Sequence, residues 1–275
     1  MLKKIIAVIV IALLLAAAFF ASYTLSMKYW DKLAPYIQLD TPAAVPEAPT
    51  AAVSTTVPTT VPTTTAETTT APVTATDAAA ALAIENIVEM PTDETWKLVL
   101  VNRHNQISEA YVPVLAPIMD GSTVQVDLRM TEAFQKMYGD ALTEGVTLTP
   151  VAGYISKELQ NSLYQKKVED LLAQGMTAES AAKLAAETIL PAGCSEDNLG
   201  VSVCIGMQLD SFSQTEAYQW LQNNAYKYGF IERYTAAKKT VTEVDARPWY
   251  WRYVGTDAAE LMRQSGQCLE EFLQG

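Results

Sequence analysis

The sequence predicts an α+β domain carried behind an apolar segment and a Thr/Pro/Ala-rich spacer. Three observations carry this reading. Strand-like and helix-like stretches are mixed without strict βαβ alternation. A charge-free run opens the chain, and the stretch after it has too few large apolar groups to build a core. About 190 residues then remain, enough for one core without disulfide staples.

Ile5 to Met27 carries no charge. About 20 helical residues cross the hydrocarbon core of a bilayer, so residues 5–27 suffice as a transmembrane anchor. Lys3 and Lys4 precede the run, which by the positive-inside rule keeps residues 1–4 cytoplasmic. Lys28, Tyr29 and Trp30 suit the far interface. A cleaved signal peptide, cut near Ala18 to Ser22, is the competing reading. Either way the rest of the chain is expected outside the cytoplasm, and the anchor reading makes this a single-pass protein of the cell membrane.

Residues 28–83 are predicted to be a disordered stalk. Thr41 to Asp77 holds six prolines, and Val57-Pro58-Thr59-Thr60 recurs as Val61-Pro62-Thr63-Thr64. Proline fixes φ and removes donors, so the spacer is expected to be extended and semi-rigid. At about 3 Å per residue it reaches on the order of 100 Å.

Residues 84–275 form the predicted domain. Trp96 to Asn102 has the pattern of a strand, with His104 on the turn after it. Thr123–Leu128, Val146–Ala152, Val201–Met207 and Trp249–Val254 are further strand candidates. Thr131, Ser156 and Thr177 are placed to cap helices running to about Leu142, Ala173 and Ile189. Leu159, Leu163, Leu171 and Leu172 lie on or near one face of the second. Ser213 and Glu216 fit a capping box for a helix to about Tyr228, with Gly229 beyond it. Thr256 or Asp257 starts a last helix to about Phe272.

The net charge is −12, and 26 of the 31 acidic residues follow residue 83. Such a surface repels phosphate backbones, which argues against nucleic acid as a partner. Three cysteines, Cys194, Cys204 and Cys268, are too few for a disulfide framework. Cys194 with Cys204 leaves two readings open, a disulfide or two buried thiols. The single histidine, His104, limits zinc and triad chemistry, which usually consumes several imidazoles.

A series of phrases, in order and spacing, resembles one family. They are Leu98 to Asn102; Gly153-Tyr154-Ile155-Ser156 with Gln160; Gly193-Cys194-Ser195-Glu196-Asp197 with Gly200; Trp220-Leu221 with Asn224-Ala225; Tyr228 to Ile231 with Arg233-Tyr234; and Pro248 to Gly255. Together they resemble the VanY-type D-alanyl-D-alanine carboxypeptidases over Trp96 to Phe272. The resemblance implies a small α+β zinc D,D-peptidase domain with a small antiparallel sheet and flanking helices.

It also implies four chemical positions, and the sequence departs at each. The family's first ligand histidine is Asp197 here, its ligand aspartate is Cys204, its base glutamate is Arg247, and its last ligand histidine is Tyr250. The arginine thought to help hold substrate is replaced by Ile155. Tyr154, Ser156, Gln160, Ser195, Glu196, Arg233, Trp249 and Arg252 are retained around them, and Arg233 and Arg252 serve either a carboxylate ligand or structural ion pairs. Tyr250 is a poor zinc ligand because a phenol stays protonated near neutral pH. Arg247 brings a permanent cation to the base position. A unit charge about 5 Å away, at an effective dielectric near 20, costs roughly 3 kcal/mol, and a dication doubles that.

Zinc is therefore expected to be lost, and the expectation is a pseudoenzyme whose cleft binds wall peptide or a cell-wall protein. Arg247 is expected either to pair with Asp197 in the former metal cavity or to point to solvent. Two other functions remain open: an active peptidase with a metal site rebuilt on Asp197 and Cys204, and a structural display domain.

Overall fold

The computed structural model describes residues 84–275. The predicted anchor and stalk lie outside the described residues, and no helix among those described is long and apolar enough to cross a membrane. Two small ladders come first. β1 (Asn86–Val88) pairs in parallel with β2 (Asn105–Ile107), and β3 (Leu115–Pro117) pairs antiparallel with β4 (Gln125–Asp127). The main sheet is antiparallel, in the order β5 (Pro150–Ala152), β6 (Ser202–Ile205), β8 (Tyr250–Tyr253), β7 (Phe230–Glu232).

Register assigns the two faces of this sheet. Ser202 lies opposite Arg252, Val203 opposite Trp251 and Cys204 opposite Tyr250. Successive side chains alternate across a strand. One face therefore carries Ser202, Cys204, Tyr250 and Arg252, and the other carries Val203, Ile205 and Trp251. That second face packs into the largest core cluster with Phe134 and Met137 of α1 (Thr131–Thr143) and Trp220 and Leu221 of α4 (Glu216–Asn224). The first face is left for the polar site.

α2 (Lys157–Ala173) and α3 (Ala178–Thr188) pack as a helical pair around Tyr164, Val168, Leu171, Ala181 and Ala185. Ser156 Oγ accepts from Leu159 N at 3.2 Å and Thr177 Oγ1 from Ser180 N at 3.3 Å, so both helices start at the caps the sequence marks. The buried stripe of α2 is Gln160, Tyr164, Val168 and Leu171, with Leu172 packed against it; of the four leucines expected near one face, Leu159 is exposed. Alanines on α3 let the pair approach closely, and the wider aromatic Tyr164 fills the space.

Several element expectations change. Trp96 to Asn102 is not a strand. A 3₁₀ turn spans Glu94–Leu98, and Arg252 Nη2 takes the carbonyls of Lys97 at 2.8 Å and Val99 at 3.1 Å. Acceptors that would have served a ladder are spent on a guanidinium. Thr131 is the first residue of α1 rather than its cap. Thr215, not Ser213, caps α4, accepting from Tyr218 N at 3.2 Å, while Ser213 sits in a preceding 3₁₀ turn. The short α5 (Lys239–Thr242) was not expected. The last helix is two: α6 (Thr256–Ser265) ends where Gly266 turns left-handed at φ 69°, and α7 (Leu269–Leu273) restarts after Cys268. Cys268 is thus the N-cap of α7, and it is buried there.

Candidate functional site

The site grows from the turn after Gly193. Ser195 caps a 3₁₀ turn, Glu196–Leu199, which Gly200 closes at φ 73°. A Cβ there would lie 2.9 Å from the backbone nitrogen of Asp127, so both conformation and space call for glycine. The turn sets Asp197 against the polar face of β6 and β8. Tyr250 Oη and Ser202 Oγ both donate to Asp197 Oδ1, at 2.6 and 2.9 Å, and lie 2.9 Å from each other. Ser195 Oγ donates to Oδ2 at 3.1 Å.

A cavity of about 150 Å³ opens over this group. Asp197, Cys204, Arg247, Tyr250, Ile155 and Trp249 line it, with Ala152, Gly153, Thr188 and Gln208. All five positions that the resemblance marks as substituted thus share one cavity. Arg247 does not pair with Asp197, nor does it point freely to solvent. Its Nη2 donates to the Thr188 carbonyl at 2.7 Å, and its guanidinium carbon lies 5.2 Å from the Tyr234 ring and 5.8 Å from the Tyr250 ring. The backbone at the end of α3 captured it, because a carbonyl without a helical partner competes well for a donor.

Burial pushes the Asp197 carboxyl above its ordinary value, against the hydrogen bonds from Tyr250 and Ser202, Arg247 acting through space, and the bond from Ser195. Burial and the nearby Asp197 hold the Tyr250 phenol far above its ordinary value, so it stays a donor. Burial also drives the Cys204 thiol up, and lifts Cys194 to about 12. All three cysteines are free and buried.

Below the cavity sits a buried ionic cluster. Arg233 Nε donates to Glu196 Oε1 at 2.7 Å, and its two terminal nitrogens grip Glu270 at 2.9 and 2.6 Å. Arg252 Nη1 lies 3.7 Å from Glu196 Oε1. Arg233, Arg252 and Glu196 are at most 1 % exposed, so these three retained residues are structural and do not form a wall of the cavity. Gln160 is likewise buried, donating to the Leu190 carbonyl at 2.6 Å. Tyr154 is partly buried beside Ser156, and of the retained residues Trp249 lines the cavity.

His104 lies elsewhere. Its ring nitrogens meet Glu85 Oε1 at 3.1 Å and Glu243 Oε2 at 2.6 Å, and neither Cys204 nor Ser195 is its partner. Ser202, Thr188 and Gln208 were missed in the sequence. Ser202 was legible in principle, since it sits two residues before Cys204 on one strand and so faces the same way.

A family model for D-alanyl-D-alanine carboxypeptidase (VanY) matches residues 123–256. A D-alanyl-D-alanine carboxypeptidase of Enterococcus faecalis is 35% identical over 185 residues, 67% of this chain and 68% of that protein. The chain belongs to the VanY family. A second carboxypeptidase of this description, from Enterococcus faecium, is 29% identical over 64% of this chain and 51% of its own length, so the match spans about half of that relative. A crystal structure of a VanY D,D-pentapeptidase variant from a VanB-type resistance cassette, in complex with Zn(II), superposes with a TM-score of 0.56 at 36% identity, covering 65% of this chain and 99% of that one. VanYB in complex with D-alanine-D-alanine gives the same TM-score and identity.

The residues present do not fit a VanY-type zinc. Three N, O or S ligands and a water are needed, with a base beside them. Tyr250 spends its proton on Asp197, Cys204 is a neutral buried thiol, and Arg247 adds a cation to the cavity. No group of three or more His, Cys, Asp or Glu side chains is placed to hold a metal ion among the described residues. Arg247 and Gln208 instead bring hydrogen-bond donors to the same cavity.

Proposed function

We propose that this chain is a catalytically silent VanY-family protein, held at the cell membrane through residues 5–27, that presents its altered cleft to the cell wall. Its ligand is a peptidoglycan peptide or a cell-wall protein, and its role is binding or regulation rather than hydrolysis. One observation carries this reading: the hydrogen bond of 2.6 Å from Tyr250 Oη to Asp197 Oδ1. Two positions that hold metal ligands in the family are here satisfied by each other. Arg247 removes the base as well, so water activation by the family route has no agent. The VanY relatives' action on peptides ending in D-alanine supports the wall as the setting.

The test is zinc content and D-alanine release for the purified full chain after exposure to excess zinc and desalting. The expected result is near-zero zinc and no release from a pentapeptide. One tightly held zinc per chain, lost in Cys204→Ser, would instead establish a rebuilt Asp/Cys metal site.

A further inference from the structure

Asp197 and Arg247 carry opposite charges, line one small cavity, and form no ion pair. Arg247 makes one side-chain hydrogen bond among the described residues, to the Thr188 carbonyl. A guanidinium has five donors, so most of its capacity faces other partners. Asp197 Oδ2 accepts a single hydroxyl, from Ser195, and keeps lone-pair capacity.

We propose that this cavity binds a small free amino acid as its zwitterion, with the α-carboxylate on Arg247 and the α-ammonium at Asp197. The inference rests on the metal-free reading of the site. A ligand with a carboxylate alone would meet Asp197 as a like charge, and an amine alone would meet Arg247. A molecule bearing both charges at a fixed short spacing satisfies both walls. The volume sets the size. At ~30 Å³ for one water in the liquid, a cavity of about 150 Å³ holds about five waters. Glycine and alanine have five and six non-hydrogen atoms. Ile155 and Ala152 give a short aliphatic wall that suits a hydrogen or a methyl, and Gln208 at the cavity brings a further donor.

The test is calorimetric titration of the purified full chain with glycine, L-alanine, D-alanine, N-acetylalanine, alaninamide and acetate, with zinc measured on the same sample. At least one free amino acid is expected to bind. N-acetylalanine, which lacks the cation, and alaninamide and acetate, which lack one charge each, are expected to bind at least tenfold more weakly. Arg247→Gln is expected to lose at least tenfold for the amino acid. The blocked ligands test the same point without any variant, should a substitution disturb folding. A zinc-free chain that binds no amino acid, or binds acetate as well as alanine, overturns this inference alone. A chain that holds zinc overturns the reading of the site on which it rests.

Discussion

Tyr250, Asp197, Ser202 and Ser195 form a connected set in which each polar group finds a partner within 3.1 Å. The substitutions are therefore interdependent. Changing Tyr250 to histidine alone removes a donor from Asp197 without creating a metal site, because Cys204 stays neutral and Arg247 stays cationic. Tyr250→His by itself is expected to take up no zinc. Asp197→His, Cys204→Asp, Arg247→Glu and Tyr250→His together restore the family's donor set on the same backbone. That fourfold variant is expected to hold about one zinc per chain, read by elemental analysis after desalting. Failure of the fourfold variant to bind zinc, with its fold intact by circular dichroism, would show that the surrounding cavity has also changed.

At the scale of elements, Arg233 follows β7, Glu196 lies in the turn that carries Asp197, and Glu270 lies in α7, so one guanidinium ties three segments together. Burial alone would raise the Glu270 carboxyl, but the charge and hydrogen bonds of Arg233 hold it below its ordinary value of 4.5. A carboxyl lowered on folding contributes stability that is whole above pH 4.5 and is lost as pH falls through the lowered value. Glu270→Gln is expected to destabilise the chain at pH 7, by an amount on the order of 3–5 kcal/mol for a broken buried pair. The gap between parent and variant should close as the pH drops below 4.5, measured by urea unfolding at both ends of that range. A gap that stays constant with pH would mean the pair is not charged in the folded protein.

The elements differ in how far the sequence disclosed them. Ser156 and Thr177 mark their helices because a hydroxyl cap is a local signal, needing only the next three residues. Val201 to Met207 sets apolar residues at every second position, and Trp249 to Val254 is rich in the aromatics that favour strands. Trp96 to Asn102 misled because nothing local announces that Arg252, about 150 residues on, takes its carbonyls. The cavity's substituted positions were legible because they fall within ordered phrases, as Ile155, Asp197 and Tyr250 do, or a few residues from one, as Cys204 and Arg247 do. Capture of Arg247 by the Thr188 carbonyl was not, since it depends on where α3 stops relative to β8.

On the scale of the whole molecule, the acidic domain and the apolar run of residues 5–27 make opposite demands on solvent. The full chain is expected to sediment with membranes and to resist extraction by high salt, because the anchor is hydrophobic and not electrostatic. Deleting residues 1–27 should release it to the soluble fraction, as read by fractionation and immunoblot. Release by salt alone of a chain shortened at its N-terminus would point to a cleaved leader and peripheral attachment.

The ionic cluster beneath the cavity has a wider consequence. Glu196, held by Arg233, fixes the Ser195–Gly200 turn from one side, whereas its neighbour Asp197 faces the cavity with Cys204, Arg247 and Tyr250. Holding the turn and lining the cavity thus fall on separate, adjacent residues of the same turn. The cavity-facing residues can then be exchanged without touching the ion pairs that hold the turn. Such a scaffold is open to reassignment, and a new ligand can be fitted to the upper layer without disturbing the lower.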